Sequence, residues 1–587
     1  VLGLPLAVIV GWAVLRWSGT WPFGSDNDEY RLVASELLRS GRPVVAGVEG
    51  TKYPLGYPLV LALLDVVGLP VTRAAMALNL GLVVGLAAAL PALYLVFAVL
   101  DDARGALDAV LTERTVGLIT RSLGLAVAVT AAAIAIAVPL AWLTVRSDLP
   151  GRRVWATLLT LPLVIPSYIG AYLFISALGP RGALAGLLGV ERLPSIYGFS
   201  GAFVVLTLFT YPLVLIPLRA ALQRMDPALE EAARVLGRSP RAVFRSVVLP
   251  QLAPAIGAGG VLVALYVLSD FGAVSIMRFD SFTRDIYIAY ESGFGRTEAA
   301  ALGMVLVIVM LVLFAIYARV RAARALHRVT PGTQRPAQPV RLGRWRWPAL
   351  GFCAAVAAIA LVLPVGVLLY WATKQISSGL ELGALAANSW HSLLAAAAAA
   401  LAASLAAIAV ALLAVRYPSG VTRIVERVGY AGYALPGIVV ALALVFFTTR
   451  VALPLYQTLA VLVFALAIHY LPLAVGPIGA ALLQVPPRLE EAARGLGRSP
   501  LAVLRTITTP LVASGVLGGA ALVFLHALKE LPATLLLAPI GFETLATDVW
   551  HQTSFGFYEA SAIPALLLLL IAAPPLYLLS AKGSVAS

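Results

Sequence analysis

Long runs of apolar residues, separated by short polar stretches, extend along most of the chain. Many of these runs supply the ~20 residues that a helix needs to cross a membrane. They are too continuous for the strands of a membrane barrel, which alternate apolar and polar residues over segments of about ten. The pattern predicts an all-α polytopic membrane protein with about fourteen spans. The clearest runs are residues 74–100, 116–145, 197–218, 299–318, 349–371 and 393–415.

The polar stretch EEAARVLGRSP, which begins at Glu230, recurs as EEAARGLGRSP at Glu490, 260 residues further on. Matches flank it on both sides: Val145-Arg146 with Val415-Arg416, Ile165-Pro166 with Leu435-Pro436, Pro250 with Pro510, and Ser269-Asp270 with Lys529-Glu530. Each copy contains six predicted spans, with the polar stretch between the fourth and the fifth. An even number of spans gives both copies the same orientation, so we predict two parallel six-helix repeats with a solute path between them.

Four segments follow from this pattern. Residues 1–72 have no counterpart in the second copy and form an extra N-terminal hairpin of about two spans. Residues 73–320 are the first repeat and residues 348–587 the second. Residues 321–347 are a basic linker, rich in proline, which we expect to be poorly ordered in the cytoplasm.

Composition supports a membrane protein, because 61% of the residues are hydrophobic and only 12% are charged. The formal net charge of +14 raises the question of nucleic acid binding. However, the arginines cluster beside the ends of spans, as in loops that stay in the cytoplasm. We therefore predict membrane lipid as the surroundings, no nucleic acid partner, and a cytoplasmic location for both polar stretches. Examples of the arginines beside the ends of spans are Arg146, Arg152 and Arg153.

Local signals in the doubled stretch predict a helix, a tight turn and a second helix. Asp226-Pro227 has the form of a helix N-cap followed by a first-turn proline, Gly237 ends that helix, and Ser239-Pro240 starts the next. Gly497 and Ser499-Pro500 repeat the same signals. Such a rigid unit suits docking into a groove of another protein. The alternative is an amphipathic helix at the membrane interface, but that function does not require two copies with identical spacing.

At these residues the sequence resembles a known family. Glu231-Ala232-Ala233, Gly237 and Pro250, with Glu491-Ala492-Ala493, Gly497 and Pro510, resemble the EAA signature of the membrane permeases of binding-protein-dependent ABC importers. Thr508-Thr509 departs from the usual apolar ending. The resemblance covers roughly residues 90–580. It implies a bacterial plasma (inner) membrane protein that works with an extracytoplasmic solute-binding protein and a cytoplasmic ABC ATPase, expected in two copies. The implied ATPase-coupling residues are Glu230, Glu231, Ala232, Ala233, Gly237, Glu490, Glu491, Ala492, Ala493 and Gly497.

The fused arrangement of two permeases resembles ferric iron importers, as do LFTYPLVLIPLRAAL from Leu208 and LKELPATLLL from Leu528. Ferric iron is therefore the first expected substrate; thiamine, polyamines, phosphonates and sulfate are the alternatives within the family. The sequence contains no G-x-x-x-x-G-K-[ST] motif, so we expect no cofactor bound by this chain and ATP hydrolysis in a separate subunit. The chain is then not itself an enzyme. A secondary transporter is a further alternative, but it would not need paired docking loops.

Two ionisable sites are candidates for the translocation path. Asp270 and Glu530 occupy matched positions at the outer ends of the fifth spans, where charged groups are costly and often functional. They could meet a cation, Lys529 could neutralise Glu530, or both acids could orient helix ends. The histidines show no metal-binding spacing, so we expect them to pack and to form hydrogen bonds. They are His327, His391, His469, His526 and His551.

The first segment carries a second, fainter resemblance. GSDNDEYRLVASELLRSG from Gly24 and TKYPLGYPLVLALL from Thr51 resemble the start of polytopic glycosyltransferases that use lipid-linked sugars. That resemblance implies that Asp26 or Asp28 would be the catalytic base. None of the remaining enzyme is present, and catalysis needs a complete set of groups. We therefore interpret the segment as a fused remnant, an accessory hairpin or a gene-boundary artefact.

Overall fold

A computed structural model describes residues 71–322 except 181 and 293–294, and residues 339–585 except most positions between 417 and 434. It also describes a short antiparallel strand pair, β1 (Val44–Val45) and β2 (Val48–Glu49). The predicted hairpin of residues 1–72, with Asp26 and Asp28, otherwise lies outside the described residues. The described remainder is almost wholly helical, as predicted.

The first copy contains thirteen helices. Its six spans are α1, α3, the bent pair α4 and α5, α7, α10 and α13. The bounds are α1 Val71–Asp101, α2 Ala103–Val110, α3 Glu113–Arg146, α4 Arg152–Leu158, α5 Ser167–Leu178, α6 Ala183–Leu188, α7 Phe199–Arg224, α8 Pro227–Val235, α9 Pro240–Val243, α10 Leu249–Ser269, α11 Gly272–Ile276, α12 Phe282–Glu291 and α13 Arg296–Ala322.

The second copy repeats this order. Its bounds are α14 Arg346–Ala357, α15 Leu363–Ser378, α16 Leu382–Arg416, α17 Gly437–Val451, α18 Leu459–Leu483, α19 Pro487–Gly495, α20 Pro500–Val503, α21 Thr509–Leu528, α22 Pro532–Leu537, α23 Leu545–Ser554 and α24 Ala562–Val585. Short π-helical turns join α9 to α10, α14 to α15 and α20 to α21.

Within the described residues, nine helices are long and apolar enough to cross a membrane. The bent pair in the first copy and the shorter apolar helices α17 and α24 complete six spans in each copy. The other two of the predicted spans fall in residues 1–72, outside the described part. The all-α, repeated architecture is therefore confirmed.

The third span of the first copy is broken rather than continuous. Its two halves meet at 96°, at Ile165-Pro166. The break exposes backbone carbonyls that would otherwise be bonded within a helix. The fourth span supplies two donors: the Tyr211 hydroxyl donates to the Leu159 carbonyl (2.7 Å), and Arg219 donates to the Ala156 carbonyl (3.0 Å).

Matched glycines bring the fourth and fifth spans close together in both copies. A Cβ on Gly259 would lie 2.8 Å from the Val214 Cα, and one on Gly519 would lie 2.9 Å from the Ala474 Cα. Small residues permit such approach between membrane helices. Gly259 thus permits close helix packing in the first copy, and the contact recurs 260 residues later at Gly519.

The two copies interlock through their first spans. α1 packs on α16 and α17 of the second copy, and α15 packs on α5 of the first, so each first span contacts the third span of the other copy. Polar contacts reinforce this packing of each first span on the other copy. The Trp371 Nε1–H donates to Ser176 (2.5 Å), and Arg450 donates to Asp101 (2.6 Å).

The end of the linker is ordered, contrary to the expectation for this segment. Val340 pairs with the turn after α3: its N–H donates to the Arg146 carbonyl (2.7 Å), and its carbonyl accepts from Asp148 (3.1 Å). The Leu342 N–H then donates to the Asp148 side chain. Backbone N–H and C=O groups of the linker end and of the turn after α3 thus form hydrogen bonds with one another. The composition of the linker does not reveal this pairing. Residues 323–338 lie outside the described part.

Candidate coupling loops and translocation path

The doubled polar stretch forms a helix, a turn and a helix in both copies. In the first copy, the Asp226 side chain accepts from the Ala228 N–H (2.9 Å) and caps α8. Gly237 ends the turn with φ of +77°, and Gly497 has φ of +80°, a backbone region that favours glycine. The Ser239 and Ser499 side chains accept from the N–H groups three residues on, at the starts of α9 and α20. The local structure predicted from these residues is confirmed.

One side of each loop faces outward and is apolar at its tip. Val235 is 87% exposed, Leu236 80% and Leu496 84%. Glu231, Ala232, Glu491 and Ala492 are also exposed. Exposed apolar side chains beside charged ones are typical of surfaces that another protein covers. We name these two surfaces the docking faces; they comprise the exposed residues of Glu231–Gly237 and of Glu491–Gly497.

The other side of each loop faces the protein. Glu230 is 6% exposed, and Ala233 and Ala493, one turn further on, are buried. The ten residues that the resemblance assigns to coupling therefore divide between two sides: Glu230, Ala233, Glu490 and Ala493 face inward, and the other six face outward. This division follows helical periodicity.

Arginines at the ends of the second spans contact the inward glutamates. Arg146 Nη2 lies 3.1 Å from Glu230 Oε1, and Arg416 Nη2 lies 3.0 Å from Glu490 Oε1. Arg146 and Arg416 end α3 and α16, respectively. Arg146 is only 4% exposed, so it is more than a topological charge in a loop.

A π-helical turn follows each loop at the matched position, Phe244–Val248 in the first copy and Leu504–Thr508 in the second. Arg238 reaches over the first of these turns and donates to Ser246 (2.9 Å), while Arg498 donates to Thr506 (3.0 Å). Single π-helical turns inside helices often mark functional segments. Each loop is thus fastened to the start of the fifth span in the same way.

Asp270 and Glu530 are buried at the ends of the fifth spans, as predicted. The Asp270 carboxylate accepts from the Ala273 N–H (2.9 Å) and from the Ser167 hydroxyl at the start of α5. The Glu530 carboxylate accepts from the Ala533 N–H (3.1 Å) and from the Tyr470 hydroxyl (2.6 Å). Both acids therefore cap the short helix that follows and fasten it to a neighbouring span.

The contacts of Asp270 and Glu530 favour one of three predicted roles, which were cation binding, neutralisation of Glu530 by Lys529, and orientation of helix ends. Among the described residues, no ion pair joins Lys529 to Glu530; the partners of this carboxylate are Tyr470 and Ala533. The geometry corresponds to the third alternative, in which the acids orient helix ends.

Aromatic side chains join the two copies beside Asp270. Phe271 packs on Trp550 of the second copy, with 5.0 Å between ring centroids, and on Tyr287 of its own copy, at 4.9 Å. Tyr172 stacks on Tyr558 across the same interface. These rings pack between the copies at the end opposite the docking faces.

The histidines mostly pack and form hydrogen bonds. His391 Nδ1 lies 3.0 Å from the Glu543 carbonyl, and His526 Nδ1 lies 2.8 Å from the Leu522 carbonyl. His469 packs on Tyr470, and His551 contacts the Glu543 carboxylate (3.2 Å). His327 lies outside the described residues. In the described part, no group of three or more His, Cys, Asp or Glu side chains could hold a metal ion.

A cavity of about 680 Å³ opens at the end of the molecule opposite the docking faces. Four carboxylates line it: Glu381, Glu543, Asp548 and Glu559. Burial raises the pKa of Asp548 above its ordinary value, although hydrogen bonds from Asn388 and Gln552 oppose the shift.

The repeated spans, interlocked copies and paired polar loops define a multi-pass membrane protein. Residues 133–326 and 401–580 match the family described as binding-protein-dependent transport system inner membrane component. The matches cover more than half of the chain, one in each copy. The chain therefore belongs to this family and is a permease subunit of an ABC importer.

Relatives with different cargoes share this family. The chain is 33% identical, over 504 residues, to the Fe(3+)-transport system permease protein FbpB 2 of Haemophilus influenzae; the match covers 85% of this chain and 96% of that protein. It is 36% identical over 139 residues to the molybdenum transport system permease protein ModB of Escherichia coli (23% of this chain, 58% of that one). It is 32% identical over 138 residues to the sulfate transport system permease protein CysW of Escherichia coli (24% and 47%).

Several residues of the site were not identified from the sequence. Asp270 is contacted by Ser167, and Glu530 is contacted by Tyr470 and lies against Gly437. The inward glutamates are contacted by Arg146 and Arg416. The repeat contained a signal for four of them, because Arg146 matches Arg416, and Ser167 and Gly437 directly follow the matched prolines. Their partners lie far away along the chain, so spacing alone could not connect them.

Proposed function

We propose that this chain forms the membrane path of an ATP-driven importer of ferric iron. The observation that carries the proposal is the match to the Fe(3+)-transport permease, which extends over both copies and nearly all of that relative. The molybdenum and sulfate permeases match about a quarter of this chain each. An importer of an oxyanion is the second candidate, because those relatives retain comparable identity over the part that matches.

The proposed energy source is a separate ATPase that docks on the two docking faces, one ATPase subunit on each. Support comes from the matched geometry of the loops and from the exposed apolar side chains Val235, Leu236 and Leu496. Closure of the ATPase pair on ATP would move both loops together. The permease would then switch between states open to the two sides of the membrane, driven by the different affinity of the ATPase for each state.

On the outer side, the proposed partner is a solute-binding protein that delivers the cargo. The acidic cavity lined by Glu381 and Glu559 lies on the face that this protein would meet. For Asp270 and Glu530 we propose a role in holding the ends of the fifth spans beside the path, because hydrogen bonds engage both carboxylates. Neither acid then needs to bind the cargo directly.

Uptake measurements test the substrate. Cells that lack their own importers, supplied with this chain, its ATPase and its binding protein, are given radiolabelled ferric iron, molybdate or sulfate. We expect ATP-dependent accumulation of iron alone. Accumulation of molybdate or sulfate in place of iron would overturn the iron proposal. Uptake that continues without the ATPase would overturn the importer proposal as a whole.

A further inference from the structure

The inward side of each coupling loop carries a contact between opposite charges, which is buried in the first copy and partly buried in the second. In the first copy, the side chains of Arg146 and Glu230 are 5% and 8% exposed, respectively, and their charged atoms are 3.1 Å apart. Arg234, one turn further along α8, lies 3.7 Å from the other Glu230 oxygen. Removing water from two charges costs free energy, which their attraction offsets only when they remain in contact. The two groups are therefore held together.

The second copy repeats the contact with better hydrogen bonding. Arg416 donates to Glu490 (3.0 Å) and also to the Val485 carbonyl (3.2 Å). The Thr508 hydroxyl, in the π-helical turn, donates to the same Glu490 oxygen (3.0 Å). In the first copy, Arg146 Nη2 and Glu230 Oε1 are close but are not aligned as a hydrogen bond. We call the two contacts Arg146–Glu230 and Arg416–Glu490 the arginine joints.

The position of the joints connects elements that are distant along the chain. Each glutamate lies on the first helix of a coupling loop, whereas each arginine is the last residue of the second span. Through the chain, the loop is continuous only with the fourth and fifth spans. The joint adds a direct link to the second span, which in turn packs extensively on the fourth and fifth spans of its copy.

We propose that the arginine joints transmit movement of each docked coupling helix to the second membrane span of the same copy. The proposal rests on the proposed function, since an ATPase must drive the helix. A movement of the loop that left the second span behind would separate two opposite charges that are largely shielded from water, which is costly. The second span therefore follows the loop. Arg146 and Arg416 are positioning residues for transport and do not touch the cargo.

The linker adds a further contact at the first joint. Val340 donates to the Arg146 carbonyl, so the entry to the second copy is fastened to the residue that contacts the first coupling loop. Movement at this joint would reach the first span of the second copy.

Charge exchange tests the proposal. Arg416→Met and Glu490→Gln are compared with the exchanged pair Arg416→Glu/Glu490→Arg, in the complete complex with ATPase and binding protein. The readouts are ATP hydrolysed, iron transported per ATP, and the amount of ATPase that co-purifies. We expect each single variant to keep the ATPase bound but to lower transport per ATP by at least about tenfold, and the exchanged pair to restore most of it. Arg146 and Glu230 are exchanged in parallel.

Arg488→Met and Arg152→Met are the matched controls, because each removes an exposed cytoplasmic arginine near a joint. Both should leave transport per ATP unchanged. Single joint variants that transport normally per ATP would overturn the proposal, as would an exchanged pair no better than the single variants although the complex assembles. If the exchanged pair does not fold, normal transport per ATP in the single variants remains decisive. Failure of the unchanged chain to bind the ATPase would instead contradict the proposed function.

Discussion

Ser167 and Gly437 occupy matched positions, each directly after the proline in the third span of its copy. Ser167 donates to Asp270, the shorter acid. At the matched place, a Cβ on Gly437 would lie 2.7 Å from the Glu530 carboxylate, so the longer acid fills the space that a side chain would need. Serine with aspartate and glycine with glutamate are thus two solutions to one packing requirement.

This complementarity gives a prediction for single residues. Gly437→Ser should crowd Glu530 and lower the melting temperature and the transport rate, because overpacking a buried site costs about 1–3 kcal/mol. The double variant Gly437→Ser/Glu530→Asp recreates the pair of the first copy and should recover most of the loss. Thermal unfolding in detergent and iron uptake measure both effects.

The matched control is Gly479→Ser, at a helical position where an added Cβ meets no atom within 4 Å. It should unfold at the temperature of the unchanged protein. A double variant that is less stable than Gly437→Ser alone would contradict the interpretation of these residues as a complementary pair.

At the scale of single residues, the sequence predicted Asp270 and Glu530 as candidate site residues but not the residues that form hydrogen bonds with them. Asp270 and Glu530 were identifiable because the repeat aligns them and because ionisable residues in apolar runs are rare. Tyr470 lies two residues before Pro472, which matches Pro212, and it carried no charge to distinguish it from the other tyrosines. Its hydrogen bond to Glu530 depends on how the fourth and fifth spans pack, which local sequence does not encode.

At the scale of elements, the coupling loops were the most predictable part. Caps, a turn glycine and prolines act within a few residues of one another, so Asp226, Gly237 and Ser239 determined the local structure. The bend in the third span was not predictable in this way. Pro139, Pro212 and Pro217 lie inside helices that continue, whereas Pro166 lies at a break. At the break, Tyr211 and Arg219 of the fourth span donate to the Leu159 and Ala156 carbonyls.

The docking faces give a prediction for the loops. Gly237→Val and Gly497→Val should lower ATPase co-purification and transport strongly, because each adds a side chain at the docking face and strains a left-handed backbone by about 1–2 kcal/mol. An added Cβ meets no atom within 4 Å at either glycine, so the chain itself tolerates the volume.

Gly189→Val and Gly541→Val are controls with the same backbone strain. Both glycines have positive φ and open space, and neither belongs to a docking face. They should bind the ATPase normally. Equal losses in all four variants would mean that strain, rather than docking, explains the effect.

The broken third span gives a second prediction at this scale. Tyr211→Phe removes the donor to the Leu159 carbonyl and leaves a buried acceptor without its partner, at a cost of about 1–3 kcal/mol. The melting temperature should fall. Tyr370→Phe, at an exposed tyrosine, should have no such effect. Equal melting temperatures for Tyr211→Phe and the unchanged protein would show that the hydrogen bond does not support the bend.

At the scale of the whole molecule, the exchange of first spans makes the two copies one structure. α1 packs against the third span of the second copy, and α15 against that of the first. The sequence established two parallel repeats, because their spacing is regular. It did not establish the exchange, since every span is apolar on most sides and membrane helices associate by shape rather than by hydrophobicity.

The aromatic contact between the copies gives a prediction at this scale. Trp550→Ala removes a buried ring that packs on Phe271 and should lower the melting temperature, because such a truncation costs about 3–5 kcal/mol. Phe555→Ala, at an exposed ring near the same end, is the control. If Trp550→Ala melted at as high a temperature as Phe555→Ala, the contact between Trp550 and Phe271 would have no stabilising role.

The matched pairs Ser167–Asp270 and Gly437–Glu530 also constrain how this chain can evolve. To convert one pair into the other, two substitutions must occur, and each intermediate is inferior: serine with glutamate is crowded, and glycine with aspartate leaves a gap. In a permease assembled from two identical subunits, every such intermediate would be present twice. A single chain with two copies carries the defect in one half at a time, so its halves can diverge by routes that are closed to a symmetric ancestor.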